Sequence, residues 1–115
     1  MLSKIHRFHG HSSLNFVYRK GDTVRSPYCA MRFSKGKYDT FRVAVVVSKK
    51  VAKAAPDRNR IRRRIYEVIR QLAPGLLTNQ DIVITVFDDR FLTLSHEELT
   101  DSIKRQLTHI AKHTN

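Results

Sequence analysis

The chain has 115 residues, 41% of them hydrophobic, with six Phe and four Tyr. That is enough for one domain that buries a core without disulfides or a structural metal, and it excludes a disordered basic tail. With 22 Lys and Arg against 10 Asp and Glu the formal net charge is +12; such a charge draws in polyanions, nucleic acid first and an anionic membrane surface second.

Residues 1–11 are basic and without periodicity, and read as an extended arm. His6, His9 and His11 lack a partner cysteine or nearby carboxylate for a closed metal site, so they read as surface histidines. Ser12 or Ser13 is placed to cap a short helix over 14–20, ended by Gly21 at a C′ position. Leu14, Val17 and Tyr18 share one of its faces, suited to packing on a sheet or, for an accessible aromatic, to stacking on a base.

From Val24 the pattern becomes strand-like. Cys29, Met31 and Phe33 fall on one side and Tyr28, Ala30 and Arg32 on the other. The first set reads as core. The second sets an aromatic and an arginine on one face, a pairing that suits a single nucleic-acid strand. Cys29 is the only cysteine, so no intramolecular disulfide forms and a reducing compartment fits. Its setting makes it a small core residue rather than a reactive thiol.

Ser34 to Lys37 reads as a turn leading into an antiparallel hairpin with a valine-rich strand, Phe41 to Ser48. Lys49 and Lys50 follow where that strand ends. Pro56 and Asp57 mark the N-cap region of a helix stopped by Ala73-Pro74-Gly75. At 100° per residue, Ile61, Ile65, Val68, Ile69 and Leu72 fall in one arc about 100° wide, and Asn59, Arg60, Arg62, Arg63, Arg64 and Arg70 fall outside it. A further strand, Asp81 to Phe87, is nearly all apolar, as an interior strand should be. Ser95 to Glu98 is a capping-box pattern opening a last helix with Leu99, Ile103, Leu107 and Ile110 inward.

Between Arg42 and Arg70 ten Lys or Arg meet only Asp57 and Glu67. Like charges at i,i+4, as in Arg60 and Arg64, repel by a few tenths of a kcal/mol per pair, which a bound polyanion relieves. The guanidinium fork also matches phosphate. No nucleophile elbow, phosphate-binding glycine loop or zinc motif is present, and Asp88-Asp89 reads as a solvated turn rather than a catalytic pair. No apolar secretory segment opens the sequence and the run Val43 to Val47 is too short to cross a bilayer, so a cytoplasmic protein is expected.

Arg42-Val43-Ala44, Val47-Ser48-Lys49-Lys50 and Arg58-Asn59-Arg60-Ile61-Arg62-Arg63 together resemble the signature of the bacterial ribonuclease P protein component. Arg7-Phe8 and the helix ended by Gly21 are similar to further features of that family. The resemblance implies an α+β fold with a four-stranded sheet, order α-β-β-β-α-β-α, and a left-handed βαβ crossover of the ribosomal protein S5 domain 2-like type. It also implies a division of labour. The RNA subunit removes the 5′ leader of precursor tRNA, with Mg2+ held mainly by RNA and no cofactor or catalytic residue on the protein. The implied partners are the catalytic RNA and precursor tRNA, in a 1:1 particle with a monomeric protein.

Carried over by residue, Lys53, Arg58, Asn59, Arg60, Arg62, Arg63 and Arg64 are expected to bind the RNA subunit. Leu14, Tyr18, Tyr28, Ala30, Arg32, Ser48, Lys49 and Lys50 are expected to line the leader cleft. Leu14 stands where the family usually has an aromatic, leaving Leu14 or Phe16 to take that place, and Ala44 replaces the usual glycine. The alternatives set against this reading are a ribosomal or other structural RNA-binding protein and a self-sufficient nuclease.

Overall fold

Strands with apolar residues at every second position need a partner on that side, and here they obtain one from two amphipathic helices. The computed structural model describes residues 17, 18 and 20–114; the predicted arm, Ser12, Ser13, Leu14, Phe16 and the three N-terminal histidines lie outside them. The elements in order are β1 (Asp22–Arg25), β2 (Cys29–Lys35), β3 (Arg42–Val47), α1 (Ala55–Leu72), β4 (Gln80–Val86), a 3₁₀ turn (Asp89–Leu92) and α2 (His96–His113). Val17, Tyr18 and Lys20 are helical and belong to the short first helix expected ahead of β1.

The sheet order is β1-β2-β4-β3. β1 and β2 form an antiparallel hairpin, β2 pairs antiparallel with β4, and β3 runs parallel to β4. The expected hairpin between β2 and β3 is therefore wrong. β4 inserts between them, and the turn after Lys35 bends the chain past an empty place in the sheet instead of back onto its neighbour. The nearly continuous apolar run of β4 is the chemistry of that central position, and α1 makes the crossover between the parallel pair.

One face of the sheet carries the main core. Cys29, Met31 and Phe33 of β2, Val43, Val45 and Val47 of β3, and Ile82, Ile84 and Val86 of β4 meet Ile61, Ile65, Val68 and Ile69 of α1 and Leu99, Ile103, Leu107 and Ile110 of α2. Each such fully buried side chain contributes about 1.5–3 kcal/mol. Leu72, expected on the same arc, is partly buried. Tyr66, which the wheel left out, is buried, and its hydroxyl accepts the Val45 N–H at 3.2 Å. This satisfies a donor on the outer edge of β3 and shields an edge strand from pairing with another chain. The opposite face is covered only in part, by Val17 packed on Ala44 and Val83.

Local chemistry fixes the ends. Ser95 and Glu98 form the predicted capping box. The entry to α1 differs from expectation: the N-cap is Ala54, which offers no side-chain acceptor, while Pro56 and Asp57 lie inside the first turn. The loop is instead held by Arg58, whose Nη1 donates to the carbonyls of Ala52 at 2.9 Å and Lys53 at 2.8 Å. Gly21 closes the first helix, as expected, through N–H to Val17 O at 2.8 Å, without a positive φ. It is required by crowding: a Cβ there would lie 2.5 Å from Val17 O and 2.7 Å from Phe33 O.

Cys29 is fully buried, with its thiol donating to Gln106 Oε1 at 3.3 Å. Burial pushes its pKa up, against opposing hydrogen bonds from Ser26 and Gln106. The thiolate is the reactive form, so the native protein should leave a disulfide reagent such as DTNB unconsumed at pH 8 and react with one equivalent after denaturation. Rapid labelling of the folded chain would refute this reading.

Candidate nucleic-acid interface

The open part of the second sheet face is a row across three strands. Ala30 pairs with Thr85, and Thr85 with Val46, so these three side chains lie side by side. Phe87 follows β4, and its N–H extends the ladder to Tyr28 O at 3.1 Å. Val46 is 39% exposed, Phe87 47% and Tyr18, on the first helix, 41%. Val46 thus stands open on this face, beside the helix that packs on it through Val17. Ser48, Lys49 and Lys50 are exposed in the turn beyond β3, where Ser48 O accepts from Val51 N and Ala52 N.

Of the expected leader residues, Ala30 lies on this surface, Tyr18 is exposed on the helix beside it, and Ser48, Lys49 and Lys50 are exposed just past the end of β3. Two others do something else. Arg32 shares the face but is engaged, donating to the carbonyls of Tyr18 and Gly21 (2.9 Å to the latter) and to Thr23 Oγ1 at 3.0 Å. A cation on the terminal carbonyls of a helix is favourable, so Arg32 fastens the first helix to the sheet and aims Tyr18. Tyr28 does not share this face. It precedes β2, and its ring packs edge-on to buried Phe91 at 5.6 Å beneath the Arg90 guanidinium at 4.8 Å. Val46 and Thr85 were not among the expected leader residues, although the alternation of Ala44 with Val46 and of Val83 with Thr85 was available to find them.

The arginine helix divides in the same way. Arg58 is spent on the entry loop, while Lys53 beside it is exposed. Arg64 donates to Phe91 O and, at 2.6 Å, to Leu94 O, tying α1 to the segment leading into α2. Arg62 donates to Asn59 Oδ1. Arg70 is paired with Glu67, and that hydrogen bond holds the Glu67 carboxyl down at about 2. Arg60 and Arg63 are exposed, and no acceptor for either occurs among the described residues. They are the cations left available.

The carboxylates offer no hydrolytic site. Asp88 accepts from Arg90 N at 2.8 Å and from its guanidinium at 2.7–3.0 Å, which lowers its pKa, the side-chain bond most and the backbone bond next. It is the N-cap of the 3₁₀ turn. No three His, Cys, Asp or Glu residues gather to hold a metal among those described, and no described helix is long and apolar enough to cross a membrane.

A small α+β domain with an exposed stretch of sheet face and a separate pair of arginines without acceptors among the described residues has the chemistry that suits a polyanion. The family profile for ribonuclease P matches residues 2–111. A ribonuclease P protein component from a Pseudanabaena species is 34% identical over 108 residues, 93% of this chain and 92% of that one; another, from an Exiguobacterium species, is 31% identical over 103 residues, 90% and 88%. The chain belongs to the ribonuclease P protein family. Among solved structures, the RNase P protein of Staphylococcus aureus superposes with a TM-score of 0.78 at 24% identity, covering 96% of this chain and 98% of that one. That of Thermotoga maritima gives 0.75 at 21%, over 84% and 89%. These likenesses establish the α+β fold.

Proposed function

We propose that this chain is the protein subunit of ribonuclease P and acts in the cytoplasm by positioning RNA. The 5′ leader of precursor tRNA lies on the row Ala30, Thr85 and Val46, beside Tyr18, with Lys49 and Lys50 beside its phosphates. The catalytic RNA is held by α1, chiefly through Arg60 and Arg63. Leader cleavage belongs to the RNA subunit and its Mg2+, a division of labour supported by membership of the ribonuclease P protein family. The complex is a 1:1 particle. The observation that carries the reading is the separation of two RNA-type surfaces on one frame: a sheet face open at Val46 beside the exposed Tyr18, and two arginines lacking an acceptor among the described residues.

Purified protein alone should cleave nothing, while adding the RNase P RNA should restore 5′ processing of precursor tRNA at low magnesium. Efficient processing by RNA-free protein would overturn the division of labour. Within the holoenzyme, Tyr18→Ala is expected to cost roughly 1–3 kcal/mol of affinity for leader-bearing substrate, the value of one base–aromatic stack, and nothing for leaderless tRNA. Equal losses for both substrates would assign Tyr18 to packing.

A further inference from the structure

Between α1 and α2 lies a groove of about 420 Å³ lined by Arg60, Arg63, Arg64, Glu67, His96 and Leu99. Its volume falls within the roughly 300–1,000 Å³ of small-ligand sites. The lining is uneven in a particular way. The Arg64 guanidinium is fixed on the carbonyls of Phe91 and Leu94, so it forms a rigid wall. Glu67, the one carboxylate of the lining, is held by Arg70. That leaves Arg60, Arg63 and His96 as donors without an acceptor among the described residues, arranged around the fixed Arg64 guanidinium, with Leu99 buried beneath them. His96 comes from the first position of α2, so the two helices contribute donors to the same space.

A flat patch of phosphate backbone needs arginines but neither a concavity nor a plane to stack on. An unstacked nucleotide needs all three, because its phosphate seeks charged and hydrogen-bonding donors while its base seeks an apolar or guanidinium plane. We infer that this groove receives one extruded nucleotide of the RNA partner, its phosphate bound by Arg60, Arg63 and His96 and its base laid on the Arg64 guanidinium. This rests on the assignment of α1 to the RNA subunit and adds to it a residue from α2 and the form of the RNA bound there.

The test uses the full-length chain reconstituted with the RNase P RNA. His96 is exposed and forms no hydrogen bond among the described residues, so His96→Gln, His96→Glu and His96→Lys should fold alike, with unchanged unfolding midpoints as the check. The Gln variant is expected to bind the RNA several-fold more weakly and the Glu variant roughly tenfold or more, the scale of a lost charge-assisted hydrogen bond, whereas Lys should retain affinity. Probing of 2′-hydroxyl reactivity should show one unpaired nucleotide protected in the wild-type complex and released in the Glu complex. If the His96 series leaves affinity and the reactivity pattern untouched while Arg60→Ala and Arg63→Ala weaken binding, the arginines rest on a regular backbone and the nucleotide site is wrong. If the wild-type chain binds no RNase P RNA, the assignment of α1 falls and this inference falls with it.

Discussion

Replacing Arg60 and Arg63 together by alanine should weaken binding of the RNase P RNA by about 3–6 kcal/mol, taking about 1.5–3 kcal/mol for each hydrogen-bonded charge removed. The same variant should flatten the dependence of log K on log salt. Each phosphate contact contributes about 0.7–0.9 to that slope through counterion release, so two contacts predict a loss of about 1.4–1.8. Both side chains are exposed and neither has an acceptor among the described residues, so the fold should be unaffected. Arg58→Ala and Arg64→Ala should behave in the opposite manner. Each leaves two carbonyls without a donor, and the expected result is a lower urea midpoint with little change in slope. Titration of binding against salt for the four variants separates the two classes, and an unchanged slope for the Arg60/Arg63 variant would show that these residues do not meet phosphate.

The largest stability effect is expected at the far end of the sheet. Arg42 and Asp81 are register partners across β3 and β4, joined by two parallel hydrogen bonds of 2.9 and 2.7 Å. Their side chains are only 15% and 7% exposed. Tyr38 lies over the guanidinium at 4.5 Å, and Gly36 passes so close that a Cβ there would stand 2.8 Å from Asp81 Oδ1. Removing one member of such a pair strands the other charge away from water. Asp81→Ala should therefore cost about 3–5 kcal/mol, a large part of a domain's typical 5–15 kcal/mol. An apolar double replacement, Arg42→Met with Asp81→Leu, should recover much of the loss because no charge is left buried. Urea unfolding of the two variants decides the matter: a loss below about 1 kcal/mol for Asp81→Ala would mean that the pair is solvated in practice.

Much of this architecture was legible because it is local. The 3.6-residue period of Ile61, Ile65, Val68 and Ile69 and the Ser95–Glu98 box each fix a helix within a few turns of chain, and both are observed. The order of the strands was not legible in that way. A turn after Lys35 is compatible with returning along β2 or with stepping past it, and the choice is made by β4, 45 positions later at Gln80. The family resemblance supplied the four-stranded α+β fold that periodicity alone left open.

The site shows the same limit. Composition counts arginines but does not say which of them are spent. Arg58, Arg64 and Arg32 find carbonyls that exist only once the loops are in place, and Arg60 and Arg63 find none among the described residues. Tyr28 was assigned to the wrong face because strict alternation was extended one residue before the strand begins. The exposure of Phe87 was missed for a related reason: a nearly continuous apolar run reads as wholly interior, although its last member, just past the end of β4, is 47% exposed.

The place of β4 has a consequence for how the chain comes into being. The middle of the sheet is supplied late, since β4 begins at Gln80 and must enter between two strands already made. During synthesis the β1–β2 hairpin and β3 emerge first, each with one edge unsatisfied, and neither can close on the other. The contacts that complete the sheet span 45 residues from Lys35 to Gln80 and 39 from Arg42 to Asp81. Such separations slow folding through the entropy of loop closure. The nascent protein is thus open along its centre until its last third leaves the ribosome, and both RNA-facing surfaces mature together, at the moment that one strand docks.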